Sequence, residues 1–127
     1  MSLTLHLVTG EFAVCRLPAT DPVPAWAGST VFSSVTRTAD ELSILCPAAQ
    51  VPAGLKAERA WRLLKFQGPF EFGAVGILNS VTGPLAQAGI SLLAVATFDT
   101  DYLLVPAARV DDAVRTLQAA GHTMRRG

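Results

Sequence analysis

The hydrophobic pattern of the second half of the chain predicts six elements. Residues 61–66 have the pattern of a strand, and the turn-forming residues 67–69 follow it. From Ala74 onward, apolar residues recur at spacings of three, four and seven, which is the helical period. Those residues are Ile77, Leu78, Val81, Leu85 and Ala88. Gly89 suits the end of this helix, and Pro84 inside it predicts a kink or a broken last turn.

A hairpin and a second helix complete this half. Residues 90–96 and 102–105 have the pattern of two strands joined by the polar tract 97–101. An apolar stripe over residues 110–120 predicts a helix, after which residues 122–124 return as a strand. The order is strand, helix, strand, strand, helix, strand. We therefore expect an α+β, ferredoxin-like unit (βαββαβ) with both helices on one face of an antiparallel sheet.

The first half of the chain repeats part of the second. Residues 30–51 superpose on residues 89–110 at a constant offset of 59. The superposed pairs include Thr38 and Thr97, Asp40 and Asp99, Leu45 and Leu104, and the two Pro-Ala-Ala tracts that begin at Pro47 and Pro106. Two copies of one unit are the simplest explanation. The alternative is a chance similarity between short apolar segments.

The strands recur in the first copy, but the helices do not. The segments with a strand pattern are 3–8, 12–17, 31–36 and 42–46. Three prolines fall between residues 18 and 24, where the second copy places its first helix, so at most a short helical turn is expected around residues 25–27. We therefore divide the chain into a degenerate unit, 1–59, and a complete unit, 60–127.

The composition of the chain argues against two classes of function, nucleic-acid binding and membrane insertion. Ten Lys and Arg balance ten Asp and Glu, so the chain lacks the basic surface that nucleic acid requires. The apolar runs are much shorter than the roughly 20 residues of a membrane helix, and the N-terminus shows no export signal. We expect a cytoplasmic protein. Charged residues make up 16% of the chain, which favours a surface partly covered by a second subunit.

Reactive groups are few. Cys15 and Cys46 lie in apolar, strand-like segments and are expected to be buried free thiols. His6 and His122 lack partners at metal-ligand spacing, so no metal site is predicted. The glycines match neither a dinucleotide-binding pattern nor a phosphate-binding loop, and no cofactor is predicted.

Three segments together resemble ACT domains. They are Phe66-Gln-Gly-Pro-Phe-Glu-Phe-Gly-Ala-Val-Gly76, Pro84-Leu-Ala-Gln-Ala-Gly-Ile90 and Ala96-Thr-Phe-Asp-Thr-Asp-Tyr-Leu-Leu-Val105. The resemblance is closest to the tandem ACT amino-acid sensors of the CASTOR type, covers residues 60–121 and is weaker over 1–59. It implies paired sheets, with an amino acid held between a loop-to-helix junction and a neighbouring unit. It also implies that the unit 1–59 is a degenerate ACT-like unit and that 60–127 is an ACT domain.

The chemistry of such a site follows from a zwitterionic ligand. A carboxylate suits the free backbone N–H groups where the first helix opens, near Gly73, which also lets a ligand approach the backbone. Glu71, Asp99 or Asp101 is placed to accept an ammonium group. The predicted ligand-binding residues are Glu71, Phe72, Gly73, Ala74, Val75, Thr97, Phe98, Asp99 and Thr100.

The leading interpretation is a non-catalytic sensor that binds an amino acid or a similar metabolite, forms a homodimer, and acts alone or through a regulated protein partner. The alternative is a structural interaction module in which the same loops pack in a homodimer and hold no ligand. A small enzyme that uses Cys46 or His122 ranks below both, because no nucleophile, base and orienting group can be assembled from the sequence.

Overall fold

The computed structural model describes residues 2–70 and 74–127 and separates the chain into two compact units. In chain order the elements are β1 (Thr4–Leu7), β2 (Phe12–Leu17), β3 (Ser34–Arg37), β4 (Leu42–Pro47), β5 (Ala57–Phe66), α1 (Ile77–Gln87), β6 (Leu93–Ala96), β7 (Asp101–Pro106), α2 (Val110–Ala119) and β8 (Thr123–Arg126). The order from β5 to β8 confirms the predicted βαββαβ arrangement. Helix α1 begins three residues later than Ala74, the first residue of the predicted helix.

The two units divide the chain differently from the prediction. The larger unit combines Met1–Thr9 with Arg62–Gly127, and the smaller unit is Gly10–Trp61. The sequence-based boundary at 59/60 is close to the second of these divisions, but it assigned the first strand to the first unit. The reason for the difference is that the backbone partners of β1 are β5 and β8, both of which lie in the second half.

Strand β1 completes the sheet of the larger unit, whose order is β6, β7, β5, β1, β8. It runs antiparallel to β5, with Leu5 opposite Phe66, and parallel to β8, with Leu5 opposite Met124. The expectation of a wholly antiparallel sheet is therefore wrong at this pair of strands. Residues 60–127 supply four strands of this sheet, and the fifth comes from the start of the chain.

Both helices of the larger unit pack on the same face of its sheet, as predicted. Alternate residues of a strand point to the same face, and one buried cluster contains alternate residues of three strands together with residues of α1 and α2. The strand residues are Leu5, Leu7, Leu64, Phe66, Leu103 and Val105, and the helix residues are Val81, Leu85, Ala113 and Leu117. Each large side chain in this cluster contributes about 1.5–3 kcal/mol through burial.

Helix α1 continues through Pro84 to Gln87. Of the two predicted effects of Pro84, a kink or a broken last turn, the broken turn does not occur. Proline has no N–H group, and the carbonyl four residues earlier, that of Ser80, loses its helical donor. The buried imidazole of His122 replaces it, because Nε2 lies 2.9 Å from the Ser80 carbonyl oxygen. Its Nδ1 accepts the N–H of Leu3 at 3.1 Å, so the neutral ring carries its proton on Nε2.

The smaller unit is built from antiparallel pairs in the order β3, β4, β2 and the first residues of β5. Every residue from 10 to 61 is described and none of them lies in an α-helix, in agreement with the prediction that the helices of the second copy do not recur in the first. Its core lies between the sheet and short 3₁₀ turns at Ala25–Ala27 and Ala48–Gln50. Gln50 donates to the carbonyls of Trp26 and Gly28, both at 2.8 Å, and holds the first of these turns.

The two hairpins have matching bounds. At the offset of 59, β3 falls on β6, β4 falls on β7, and the 3₁₀ turn Ala48–Gln50 falls on Ala107–Arg109. Pro47 (φ −54°, ψ 132°) and Pro106 (φ −56°, ψ 136°) precede these turns with nearly the same backbone conformation. The superposition of residues 30–51 on 89–110 therefore corresponds to a shared local structure.

Candidate functional site

A pocket of about 360 Å³ lies where α1 begins and the β6–β7 turn approaches it. We call it the helix-end pocket. Its lining residues are Phe70, Ala74, Gly76, Ile77, Leu78, Asn79, Ala96, Thr97, Phe98, Asp99, Thr100 and Asp101. The volume is within the lower range of small-molecule sites. All of these residues belong to the larger unit.

The β6–β7 turn is shaped by its two threonines. The backbone N–H of Thr97 donates to the Thr100 carbonyl at 2.9 Å, and the Thr97 hydroxyl donates to the same oxygen at 3.0 Å. The buried Thr100 hydroxyl donates to the carbonyl of Phe66 at 2.8 Å, which ties the turn to the end of β5. These hydrogen bonds occupy both hydroxyls in the turn, so their first role is to position Phe98 and Asp99.

The loop after β5 packs tightly against the same turn. The N–H of Phe70 donates to the Asp99 carbonyl at 2.9 Å. A Cβ atom on Gly68 would lie 2.9 Å from that carbonyl oxygen and 3.0 Å from the Cβ of Thr100, which is closer than real contacts allow. Glycine is therefore required at position 68 for this approach, and the loop and the turn form one wall of the helix-end pocket.

The opening of α1 forms the opposite wall. Gly76 precedes the helix with φ 80°, a left-handed conformation that glycine adopts without strain. The first N–H groups of an α-helix have no acceptor within the helix and carry the positive end of its dipole. Ile77, Leu78 and Asn79 occupy these first positions and line the pocket. This wall favours a carboxylate or another anionic group.

The charged side chains among the described lining residues are both acidic. Asp99 is exposed, and Asp101 is partly buried at the start of β7. The pocket therefore combines two carboxylates with a helix start of opposite polarity. A ligand with an anionic and a cationic group matches both walls.

The structure brings part of the predicted site together. Ala74, Thr97, Phe98, Asp99 and Thr100 all line the helix-end pocket, whereas Val75 is 83% exposed and lies outside its lining. The predicted residues Glu71, Phe72 and Gly73 lie outside the described residues. Sequence reasoning missed Phe70, Leu78 and Asn79. Asn79 could have been predicted from its position in the first turn of α1, because the predicted site already included the residues before that helix.

The two cysteines lie away from this pocket in the core of the smaller unit. Both are free and buried on adjacent strands, as predicted. Burial, reinforced by the neighbouring Cys15 thiol, raises the pKa of Cys46 from 9.0 to about 11. Burial also raises the pKa of Cys15. Both groups are therefore protonated thiols near neutral pH and weak nucleophiles.

Two kinds of site are absent from residues 2–70 and 74–127, the part of the chain that the structure describes. Within it, no group of three or more His, Cys, Asp or Glu side chains converges as a metal site. No helix within it has both the length and the apolar character needed to cross a membrane.

Two helices on one face of a sheet, with a pocket between a helix start and a hairpin turn, place the larger unit among the ferredoxin-like α+β domains. A family model described as the ACT domain matches residues 56–119, and this chain belongs to the ACT-domain family. A second model, described as an N-terminal domain, matches residues 10–54. The two matches follow the division at β5 closely.

The chain is also similar to proteins of known sequence or structure. The chain is 37% identical over 59 residues to the cytosolic arginine sensor for mTORC1 subunit 1 of Homo sapiens, a match that covers 46% of this chain and only 18% of that protein. A crystal structure of a protein from Agobacterium tumefaciens is 38% identical and has a TM-score of 0.94, covering 100% of this chain and 95% of that one. The regulatory subunit of aspartate kinase from Thermus thermophilus shares the fold at 10% identity, with a TM-score of 0.62 and coverage of 90% and 93%.

Proposed function

We propose that this chain is a regulatory protein without catalytic activity of its own, which binds an amino acid or a similar small metabolite in the helix-end pocket. The observation that carries the proposal is the polarity of that pocket. One wall is a helix start, and the other carries Asp99 and Asp101. A zwitterion satisfies both walls at once, whereas a purely anionic or apolar ligand satisfies at most one.

In this proposal the ligand carboxylate binds the backbone N–H groups at the start of α1, and its ammonium or cationic side chain binds Asp99. The sequence-based site places Glu71, Phe72 and Gly73 beside Ala74 and Val75 on the helix side. Thr97 and Thr100 hold the turn that presents Asp99, and Phe98 supplies apolar contact. The division of roles is thus between a backbone wall for the anion and a carboxylate wall for the cation.

The relatives support a sensing role. The arginine sensor is named for its ligand, and the fold is shared with the regulatory subunit of an aspartate kinase. Because this chain spans 18% of the arginine sensor's length, its own ligand and regulated target are proposals. We propose a regulated protein partner in the cytoplasm, and no nucleic acid or membrane partner.

The second candidate is a structural homodimer that holds no ligand. It is favoured by exposed apolar side chains beside the pocket, since Val75 is 83% and Phe98 is 77% exposed. Apolar side chains grouped in this way are typical of interaction surfaces. Dimerisation is also part of the sensor proposal, so ligand binding is the property that separates the two candidates.

A thermal-shift screen against the twenty amino acids tests the proposal. A ligand at 100 times its dissociation constant stabilises the folded state by roughly 2.7 kcal/mol, which a melting curve resolves. If none of them changes the melting temperature and calorimetry at saturating concentration is also silent, the sensor proposal gives way to the structural module.

Asp99→Asn locates the site once a ligand is found. It removes a charge-assisted hydrogen bond, so we expect it to weaken basic ligands more than neutral ones. Asp40→Asn is the matched control, because Asp40 occupies the position equivalent to Asp99 in the other hairpin, beside which no helix begins. Gly73→Val tests the helix side by obstructing the approach of a ligand to the backbone. Equal affinities for the Asp99 and Asp40 variants would contradict the proposed carboxylate wall.

A further inference from the structure

A second and larger cavity, of about 520 Å³, lies in the larger unit on the side of the sheet opposite its helices. We call it the sheet-face groove, and its lining includes His6, Lys65, Gln67 and Tyr102. Leu5, Leu7, Leu64, Phe66 and Leu103 point into the helix-covered core. Because strand residues alternate between faces, His6, Lys65 and Tyr102 point the other way. Gln67 follows β5 and is hydrogen-bonded to His6.

The register aligns basic side chains in one row on this face. His6 lies opposite Lys65 on β5 and opposite Arg125 on β8. Side chains directly opposite each other on neighbouring strands have Cβ atoms about 4.5–5.5 Å apart. Three strands therefore place a guanidinium, an imidazole and an ammonium group side by side, and two of the three line the groove.

Within the described residues, a hydrogen bond orients His6, and no ion pair involves the basic side chains of the row. His6 Nε2 lies 3.0 Å from Gln67 Oε1, and since an amide oxygen only accepts, the imidazole donates this hydrogen bond. Lys65 is exposed, and among the described residues the ion pairs are confined to Arg109, Asp112 and Arg115 on another part of the unit. The ammonium group of Lys65 thus faces the groove without a described counter-ion.

We propose that the sheet-face groove binds a small anionic metabolite, through a carboxylate or phosphate group held by Lys65 and His6. An ammonium group beside an imidazole donor suits either anion. Tyr102 provides a partly buried aromatic wall for the rest of the ligand. Asp99, on the β6–β7 turn, also lines the groove and repels an anion, so the binding position is expected beside Lys65.

This site is separate from the helix-end pocket and does not depend on the function proposed for it. The described charged residues of the helix-end pocket are acidic, whereas the lining of the groove also contains Lys65 and His6. The two cavities share only residues of the β6–β7 turn, namely Thr97, Asp99 and Thr100.

The test is a titration of ¹⁵N-labelled full-length protein with succinate and, separately, with inorganic phosphate, followed by amide chemical shifts. We expect saturable shifts at His6, Lys65 and Tyr102, and none of comparable size at Leu78 and Asn79. The affinity should fall with added salt, because exposed charges are screened. The stronger of the two probes identifies whether the groove prefers a carboxylate or a phosphate.

Substitution of the two lysines gives the decisive comparison. Lys65→Met should weaken the stronger probe at least about tenfold, because it removes a charge-assisted contact, and Lys65→Arg should retain most of the affinity. Lys56→Met is the matched control, since Lys56 is the only other lysine and is also exposed. Unchanged melting temperatures show that the variants are folded. Absence of saturable shifts with both probes, or equal losses in Lys65→Met and Lys56→Met, would overturn the proposal.

Discussion

The Nε2 atom of His122 donates to the carbonyl oxygen of Ser80 at 2.9 Å, the acceptor that Pro84 leaves without a helical donor. The other ring nitrogen accepts the N–H of Leu3, so one buried side chain connects α1 to the strand that begins the chain. His122 is 5% exposed and both of its nitrogens are engaged. Its role is structural. It is therefore not available as the catalytic group of a small enzyme, the interpretation that ranked lowest in the sequence analysis.

We expect His122→Phe to lower the free energy of unfolding by about 1–3 kcal/mol, because it keeps a ring but removes the partner of two partly buried backbone groups, the Leu3 N–H and the Ser80 carbonyl. Urea denaturation measures this change. In a Pro84→Ala background the new N–H can donate to Ser80, so the loss should be smaller, with a coupling of about 0.5 kcal/mol or more. An equal loss in both backgrounds would show that His122 does not compensate for Pro84.

The raised pKa of Cys46 makes the smaller unit sensitive to alkaline pH. The folded state keeps the thiol protonated up to a pKa of about 11, compared with an ordinary value of 9.0. Its contribution is therefore fully present below pH 9 and is lost as the pH rises from 9 toward 11, by up to about 3 kcal/mol. We expect Cys46→Ala to lose less stability than the unmodified protein over this interval. Equal pH profiles would contradict the assignment, and the range from pH 6 to 8, where both thiols are neutral, serves as the reference.

Gly68→Ala should reduce stability and distort the helix-end pocket, because the added Cβ would lie 2.9 Å from the Asp99 carbonyl oxygen. Gly83→Ala is the matched control inside α1, where the nearest atom to the added Cβ is 3.7 Å away. A helical glycine replaced by alanine gains roughly 0.5–1 kcal/mol. Opposite signs of the two changes in thermal unfolding would support the packing described for Gly68, and a neutral Gly68→Ala would argue against it.

A homodimer is expected from the 16% charged residues and from the exposed Val75 and Phe98. Size-exclusion chromatography with light scattering should give twice the chain mass of 13.3 kDa at micromolar concentration. Phe98→Ser should lower the apparent association if this surface is the contact. The mass of a single chain at that concentration would refute the prediction.

The fold was predictable where local patterns decide it. The spacing of Val81 and Leu85 and the strand pattern of residues 61–66 identified the elements of the larger unit. The position of β1 was not predictable in this way, because a short strand carries no signal for its distant partners. The continuation of α1 past Pro84 was also not predictable, because it depends on a distant residue. The side chain that replaces the lost helical donor is that of His122, 38 positions later in the chain.

The candidate site was predictable in its parts and not in its details. The turn around Asp99 and the opening of α1 were expected to form it, and the structure places Ala74 with them in one pocket. The internal hydrogen bonds of Thr97 and Thr100 could not be inferred, because a hydroxyl in a turn has the same sequence signature whether it binds the backbone or a ligand. Whether these residues, or Glu71, Phe72 and Gly73, contact a ligand stays a prediction.

The place of β1 in its sheet has a consequence for the order of folding during synthesis. Residues 4–7 are synthesised before the smaller unit, yet their partners in β8 are residues 123–126. The smaller unit, Gly10–Trp61, is continuous in sequence and needs no such delay. Contacts between distant parts of a chain form slowly, because a long loop must close before they contribute. We therefore expect the smaller unit to fold on the growing chain before β1 pairs with β8.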